Sequence, residues 1–191
     1  MNTFKNYLIA LLTGLLVLTI TAQPSTGASN STKNIEYDRC LAFYTQGAVE
    51  NLTADNPHVL TYSVHQSGIF PGTGEESQVG RFYNHPLQAG AGDVELIKAI
   101  NDFTYMIGAR ERIYNWQPDL IFITCGADGH EEDPLTGLAY STEGYVSLAQ
   151  MVRERFPNLP ILLGGAGGYL PDTRTPEVWA NVAVSLAKQN R

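Results

Sequence analysis

The chain is poor in the residues that nucleic-acid-binding proteins need. Lys and Arg together number 12 against 19 Asp and Glu, which leaves a net charge of −7. The basic residues are scattered, whereas phosphate binding requires them to be clustered, so a nucleic-acid surface is excluded. The sequence also has no internal repeat. Its 191 residues, 43% hydrophobic and 16% charged, have the composition of one globular domain.

Cysteine is scarce as well, since the chain contains only Cys40 and Cys125. The two could form one disulfide in an oxidising compartment. Cys125 ends an apolar run that is typical of a buried strand, and this favours a free, packed thiol. Cysteine usage therefore leaves the compartment open.

The N-terminal segment has the pattern of an export signal. One early lysine precedes an uncharged core from Tyr7 to Ala22, and small residues follow it. This is the layout of a secretory signal peptide, with cleavage expected after Ala22 or Ala28. The core is shorter than the roughly 20 apolar residues of a spanning helix. We therefore expect a secreted or periplasmic protein, the alternative being a membrane anchor formed by an uncleaved leader.

Beyond this leader the chain divides into two parts. Residues 1–28 are assigned to the signal peptide, residues 29–58 to an N-terminal segment without a clear pattern, and residues 59–191 to the folded domain. In the folded part, apolar and β-branched runs predict strands. These runs are VLTYSVHQ, part of RFYNHPLQAG, LIFITC and PILLGG.

Amphipathic helices are predicted between and after these strands. One is expected to be capped at Asp93, and a second to start near Thr142. The last has Thr175 as its predicted N-cap, Pro176 at its first position and Glu177 in its first turn. Apolar strands separated by helices predict an α/β fold, with a mostly parallel sheet covered on both faces.

Three loops leave the predicted strand ends, after Gln66, Cys125 and Leu163. Ligands bind at the carboxyl ends of parallel strands, so we expect these loops to meet at a site. Asp128 follows one strand end, where a carboxylate suits a metal ligand or a general base. The alternative is a solvated loop acid or a turn cap.

The nearby histidines give weaker signals. Asp128 and His130 have the spacing of two ligands on an extended segment, which is half of a zinc site. His130 is otherwise expected to be a loop histidine that faces water. His65, at the end of its strand, is interpreted equally well as a structural or a functional residue.

The stretch LLGGAGGYL places four glycines directly after a strand. It could cradle phosphate at a helix N-terminus, but it lacks the G-x-G-x-x-G spacing. A tight turn beneath a ligand is the alternative. Tyr169, which follows the glycines, is placed to donate a hydrogen bond to a developing oxyanion, or else is a partly buried aromatic lid.

Taken together, the three loops are more specific than any one of them. SVHQSGIFPGTGEESQVG, CGADGHEEDPLTGL and LLGGAGGY occur in this order, with TEGY between the second and third. From Val59 to the C-terminus, the chain resembles the histone deacetylase family, which includes acetoin-utilisation proteins and acetylpolyamine amidohydrolases. The resemblance implies a three-layer αβα domain with the arginase/deacetylase fold, truncated here at its N-terminal half.

The resemblance also implies zinc-dependent removal of acyl groups from amide nitrogen. Asp128 matches the family's aspartate zinc ligand, and Tyr169 matches the tyrosine that stabilises the oxyanion. Phe70 matches the aromatic wall of the acyl-lysine tunnel, and Leu135 a further tunnel residue. The substrate side is completed by Gly167 and Gly168. In that mechanism zinc polarises the acyl carbonyl and a histidine acts as general base.

The chain departs from the family at the other two zinc ligands, an aspartate and a histidine spaced D-x-H. Counting back from Val59 without gaps, Ala42 and Tyr44 occupy those positions. Asp38 and Cys40 offer an acid and a thiolate two residues apart, but only with an insertion. No His-His pair for the acid and base occurs in the sequence. The sequence therefore predicts an incomplete metal site.

Three hypotheses follow. The chain is a zinc deacetylase acting on an acetylated amine or acyl-lysine, with its missing ligands supplied by another subunit or by Asp38 and Cys40. Alternatively it is a non-catalytic remnant that binds such a ligand or a partner, or an interaction domain whose DGHEED loop binds calcium. Loss of the first strands is expected to expose a sheet edge and an apolar face, which a homo-oligomer or partner chain would cover.

Overall fold

The computed structural model describes residues 7–12, 53, 55–56, 58–69, 72, 74–78, 82–114 and 117–188, with the backbone alone for 7–12 and 110–114. Within these residues five strands and three α-helices are present. The strands are β1 Tyr7–Leu12, β2 Val59–Gln66, β3 Phe82–Leu87, β4 Leu120–Cys125 and β5 Ile161–Gly165. The helices are α1 Asp93–Tyr114, α2 Thr142–Arg155 and α3 Arg174–Ala187. No described helix is long and apolar enough to cross a membrane.

The five strands form one parallel sheet in the order β3-β2-β1-β4-β5. Leu12, at the end of β1, lies opposite Val64 on one side and Cys125 on the other. Cys125 in turn lies opposite Gly165. The carboxyl ends of these strands therefore meet at one edge of the sheet, where parallel α/β sheets bind their ligands.

The strand β1 comes from the segment whose sequence predicts an export leader. Tyr7–Leu12 pairs with β2 over six residues and with β4 over six residues, so it is the central strand of the sheet. A buried parallel strand and the core of a signal peptide need the same composition, an uncharged apolar run, and the sequence cannot separate them. Cleavage after Ala22 or Ala28, which stays a prediction, would remove this strand.

The three helices lie side by side on one face of the sheet, with α1 against α2 and α2 against α3. Alternate residues of the strands point towards them, because successive strand side chains point to opposite faces. The Tyr62 hydroxyl donates to the Ala99 carbonyl of α1 at 2.6 Å, and the Tyr62 ring packs on Phe103. The centre of this core is formed by Leu60, Val64, Leu96, Ile100, Ile121, Ile123, Leu148, Val178 and Val182.

The predicted strands 59–66 and 120–125 are confirmed, but two predicted helix caps are wrong. The Asp93 carboxylate accepts hydrogen bonds from the Ser141 N–H and hydroxyl, and thereby holds the start of α2. Ser141 itself caps α2 by accepting from the Gly144 N–H at 3.0 Å. Thr175 lies inside α3, which begins at Arg174. Its buried hydroxyl accepts from the Leu170 N–H instead, because the preceding loop folds back onto the helix.

Candidate functional site

Hydrogen bonds join the three loops that leave the strand ends. The Gln66 side chain, at the end of β2, accepts from the Gly137 N–H at 2.6 Å. The loop after β4 donates from the Ala127 N–H to the Gly167 carbonyl of the loop after β5. The Tyr169 N–H donates back to the Asp133 carboxylate at 2.8 Å. The convergence of the loops that the sequence predicts is therefore present.

Asp128 lies in the 3₁₀ turn Ala127–Gly129, directly after β4. Its side chain is buried, with 3% of its surface exposed, and its Oδ1 atom has no hydrogen-bond partner among the described residues. Burial, together with the smaller effect of the Asp133 charge, raises the pKa of this carboxyl to about 7. The prediction of a solvated loop acid is therefore wrong. Its open acceptor favours a positively charged or hydrogen-bond-donating partner.

The glycines after β5 are required by what lies against them. A Cβ at Gly167 would lie 2.3 Å from Asp128 Oδ2, so any side chain there would displace the carboxylate. A Cβ at Gly168 would meet the Thr175 side chain at 2.6 Å. The run therefore allows the Tyr169 loop to approach the buried acid, as expected for a tight turn beneath a site.

Two large side chains of this region are exposed. Tyr169 is 48% exposed and Leu135 is 64% exposed, although both are residues that usually pack inside. The sequence left open whether Tyr169 is a partly buried lid or a hydrogen-bond donor. Its half-exposed ring, held two residues after Gly167, is compatible with both.

The region beneath Asp128 is rigidly packed. The Tyr145 hydroxyl donates to the Gly126 carbonyl at 2.9 Å, and Trp179 Nε1 donates to the Cys125 carbonyl at 2.9 Å. Cys125 is a free, fully buried thiol, as predicted. Burial, together with the smaller effect of the nearby Asp128, raises its pKa to about 12. The thiol is therefore uncharged and does not act as a nucleophile at neutral pH.

The expectation that His130 faces water is wrong. The ring is buried, with 3% exposed, because residues 129–131 pair with Tyr140 through backbone hydrogen bonds. Its Nδ1 accepts from the Glu132 N–H at 3.2 Å, and its Nε2 lies 3.3 Å from the Thr142 hydroxyl. Both ring nitrogens thus have protein partners, and His130 is a structural residue that links the loop to α2.

His65 is also held by protein partners on both ring nitrogens. Its Nδ1 lies 2.9 Å from the Ser63 hydroxyl and its Nε2 lies 3.1 Å from the Gly74 carbonyl. Burial lowers the pKa of this histidine below its usual value, so it is neutral at pH 7. Of the two interpretations of His65, the structural one is favoured.

The described residues do not supply a complete set of zinc ligands. No group of three or more His, Cys, Asp or Glu side chains converges in the described part of the chain. Asp128 follows β4, which lies between β5 and β1 in the sheet. The β1 sequence, YLIALL, contains no residue that binds zinc. The other positions considered lie outside the described residues, namely Asp38, Cys40, Ala42, Tyr44 and Phe70.

Two residues of the site escaped the sequence analysis. Asp133 is buried and its carboxylate binds the backbone of two loops, yet in the sequence it is only the last of three consecutive acids. The pair Asp133-Pro134 is a turn signal that would have pointed to it. Tyr145 supports the end of β4 through its hydroxyl, but the sequence pattern indicates only an apolar residue of α2.

Comparison with known proteins shows the family. The sequence profile of the histone deacetylase domain matches residues 46–186, and the chain belongs to that family. The acetoin utilization protein AcuC of Staphylococcus aureus (strain N315) is 28% identical over 159 residues, which are 78% of this chain and 39% of that protein. The chloroplastic histone deacetylase 10 of Oryza sativa subsp. japonica is 33% identical over 121 residues, 60% of this chain and 24% of that protein.

Solved structures share the fold. An acetylpolyamine aminohydrolase from Burkholderia pseudomallei superimposes with a TM-score of 0.65 at 15% identity, over 97% of this chain and 45% of that one. A histone deacetylase homologue complexed with SAHA gives 0.64 at 20% identity, over 95% of this chain and 42% of that one. The arginase/deacetylase-like α/β class is confirmed. The chain spans less than half the length of these relatives.

Proposed function

We propose that this chain is a deacetylase-like domain that binds an acylated amine at the loops after β4 and β5, and that it does not hydrolyse this ligand unaided. The observation that carries the proposal is that the loops after β4 and β5 hold a buried Asp128 carboxylate, whose Oδ1 has no described partner, together with the exposed Tyr169 and Leu135. Membership of the deacetylase family supports an acylated amine or acyl-lysine as the ligand class.

Each of these residues has a distinct role in the proposal. The Tyr169 phenol donates a hydrogen bond to the acyl oxygen, and Leu135 offers apolar surface to the carbon chain that leads to the amide. The Asp128 carboxylate supplies negative charge beneath the glycines. A single carboxylate does not hold zinc at useful affinity, since catalytic zinc sites keep three protein ligands. Turnover therefore requires groups beyond the described residues.

A second candidate is a working zinc deacetylase completed by another subunit or by Asp38 and Cys40. The unpartnered Oδ1 of Asp128 supports it, because a buried carboxylate oxygen without a partner is stabilised by a cation. In this case Asp128 would be one of the zinc ligands. Zinc in this family supplies Lewis-acid activation of the acyl carbonyl.

The experiment compares wild type, Asp128→Ala and Tyr169→Phe in zinc content after dialysis, in affinity for an acetyl-lysine peptide, and in its hydrolysis. We expect the peptide to bind, Tyr169→Phe to weaken binding, and no zinc-dependent hydrolysis above background. One equivalent of zinc, lost in Asp128→Ala together with hydrolysis, would establish the second candidate instead. Absence of peptide binding in all three proteins contradicts both.

The hypothesis of a calcium-binding loop is disfavoured by the partners of its acids. Glu132 pairs with Arg174 at 2.7 Å, and the Asp133 carboxylate accepts from two backbone N–H groups. A calcium site needs six to eight oxygen ligands, and these two acids are already engaged. An unchanged melting temperature in millimolar calcium is expected.

Export by the N-terminal segment stays a prediction. Intact-mass measurement on protein recovered from the producing cell and from its medium decides it. The mass of a chain that begins after Ala22 or Ala28 indicates cleavage, and the mass of the full-length chain indicates a retained N-terminal segment.

A further inference from the structure

We infer that Asp133 is a positioning residue that couples Tyr169 and Leu135, so that one buried carboxylate sets the separation of the two exposed side chains at the mouth of the site. The inference rests on the proposed function in one respect, the ligand that these side chains contact. Its structural content, a link between two loops, stands independently of that ligand.

The carboxylate contacts both loops directly. Oδ1 accepts from the Leu135 N–H at 2.9 Å, and Oδ2 accepts from the Tyr169 N–H at 2.8 Å. The first bond closes a turn within the loop after β4, and the second spans 36 positions of sequence to the loop after β5. Each oxygen therefore fixes the backbone of one exposed side chain, and the carboxyl group fixes the two relative to each other.

Asp133 is placed to make these bonds strong. It is 7% exposed, and hydrogen bonds to a charged acceptor in a buried position are stronger than bonds between neutral groups. Its own N–H donates to the His130 carbonyl at 2.8 Å, which anchors Asp133 to the buried end of the loop. The Asp133 carboxylate is thus held in place from the buried side, while the Tyr169 and Leu135 side chains that it positions face the solvent.

The other contacts of the two loops act elsewhere. The Ala127 N–H binds the Gly167 carbonyl beneath the site, and the Leu170 N–H binds the Thr175 hydroxyl behind it. Arg174 pairs with Glu132 at the surface, where water weakens the interaction. Among the hydrogen bonds of the described residues, those of Asp133 alone join the Tyr169 and Leu135 backbones.

The two acceptor oxygens of Asp133 predict the effect of the substitution Asp133→Asn. Asp133→Asn retains the shape but offers one acceptor oxygen, and its NH₂ group faces an N–H donor at the other position. One of the two amides therefore loses its partner. Charged hydrogen bonds of this kind correspond to about tenfold or more in local opening.

The first measurement is amide hydrogen exchange in wild type, Asp133→Asn and Glu132→Gln. We expect exchange at Tyr169 or Leu135 to accelerate about tenfold in Asp133→Asn, with the amides of β4 and α2 unchanged. Glu132→Gln breaks the surface ion pair between the same segments and is the matched control, in which both amides keep their wild-type rates. Unchanged exchange at both amides in Asp133→Asn overturns the inference, as does a uniform acceleration across the whole domain.

The second measurement is affinity for an acetyl-lysine peptide in a double-mutant cycle with Tyr169→Phe. Asp133→Asn is expected to weaken binding about tenfold in the wild-type background and about twofold or less in Tyr169→Phe, because the hydroxyl it positions is then absent. Equal weakening in both backgrounds contradicts positioning through Tyr169. If the wild type binds no peptide, the proposed function fails, and the exchange measurement still decides the role of Asp133.

Discussion

The two sides of the strand ends are built differently. On the side of β4 and β5, two hydrogen bonds join the loops 126–137 and 166–170, which enclose the buried carboxylates of Asp128 and Asp133. On the side of β2 and β3, the described bonds meet at Gly137, whose N–H donates to the Gln66 side chain and whose carbonyl accepts from the Gly90 N–H. Asp128, Leu135 and Tyr169, which match residues of the family's site, all lie on the side that encloses the carboxylates.

This difference teaches which described contacts of the site lie within one continuous segment of the chain. Asp128, Asp133 and Tyr169 share contacts within residues 120–187, where Gly167 lies against the Asp128 carboxylate and Asp133 binds the Tyr169 N–H. On the other side, β2 is joined to β4 through β1, which pairs with both strands. Substitutions in the loops after β4 and β5 should therefore have local effects on structure. Substitutions in β1 should lower the stability of the whole domain.

The largest expected effect comes from Ala10→Pro. Ala10 pairs with Tyr62 and with Ile123, and proline in a central strand removes a ladder hydrogen bond. We expect the free energy of unfolding to fall by about 4 kcal/mol or more, in the tail of single-substitution effects. Urea titration measures it, with Ala10→Gly, which keeps the backbone N–H, as the control. Equal stability of both variants would show that β1 does not belong to the folded core.

A smaller, local effect is expected for Gly167→Ala. The added Cβ would lie 2.3 Å from the Asp128 carboxylate, so the loop must shift at a cost of about 2 kcal/mol. Gly164→Ala is the control, since its Cβ would meet only the Phe122 ring at an ordinary 3.9 Å. In the Asp128→Ala background the cost of Gly167→Ala should largely disappear. If Gly167→Ala is equally destabilising in the Asp128→Ala background, the destabilisation does not come from the contact with Asp128.

Asp128 makes the stability depend on pH. Its folded pKa of about 7 lies above the unfolded value of about 3.9. Between these values the folded state holds a proton that the unfolded state has released, so stability falls as the pH rises from about 4 to 7. Without added metal, we expect wild type to lose a few kcal/mol over this range relative to Asp128→Asn. Parallel pH profiles of the two proteins would contradict this.

The smallest effect is expected for Arg174→Gln, which removes the ion pairs with Glu132 and Glu177 at the surface. Both pairs are solvent-exposed, and such pairs contribute about 0 to 1 kcal/mol. We expect a loss of less than about 1 kcal/mol that disappears in 1 M salt. A larger, salt-independent loss would mean that the loop connection relies on this arginine rather than on Asp133.

The strands were largely predictable from the sequence. VLTYSVHQ and LIFITC are continuous apolar or β-branched runs between turn residues, and the strands cover Val59–Gln66 and Leu120–Cys125. Caps were not predictable, because a threonine or aspartate near a helix start has competing partners. Asp93 binds Ser141, 48 residues away, and Thr175 binds Leu170 from within its helix.

Within the site, the sequence indicated the positions of acids and glycines but not their surroundings. His130 was expected in water and is buried, because Tyr140 pairs with its loop through contacts that no local pattern reports. Asp133 was one acid in a row of acids, and only its depth and its two amide partners distinguish it. Burial and long-range hydrogen bonding are properties of the assembled chain.

By itself, the order of strand, glycine and acid along the chain determined the fold class and the edge at which a site forms, because hydrophobic periodicity and turn residues act over short distances. Tertiary structure alone decided that Tyr7–Leu12 occupies the middle of the sheet and that Asp128 is enclosed with its Oδ1 atom lacking a described partner. It also decided that Asp133 joins two loops. These outcomes depend on which groups meet across long separations in sequence, and the local pattern of residues does not encode that.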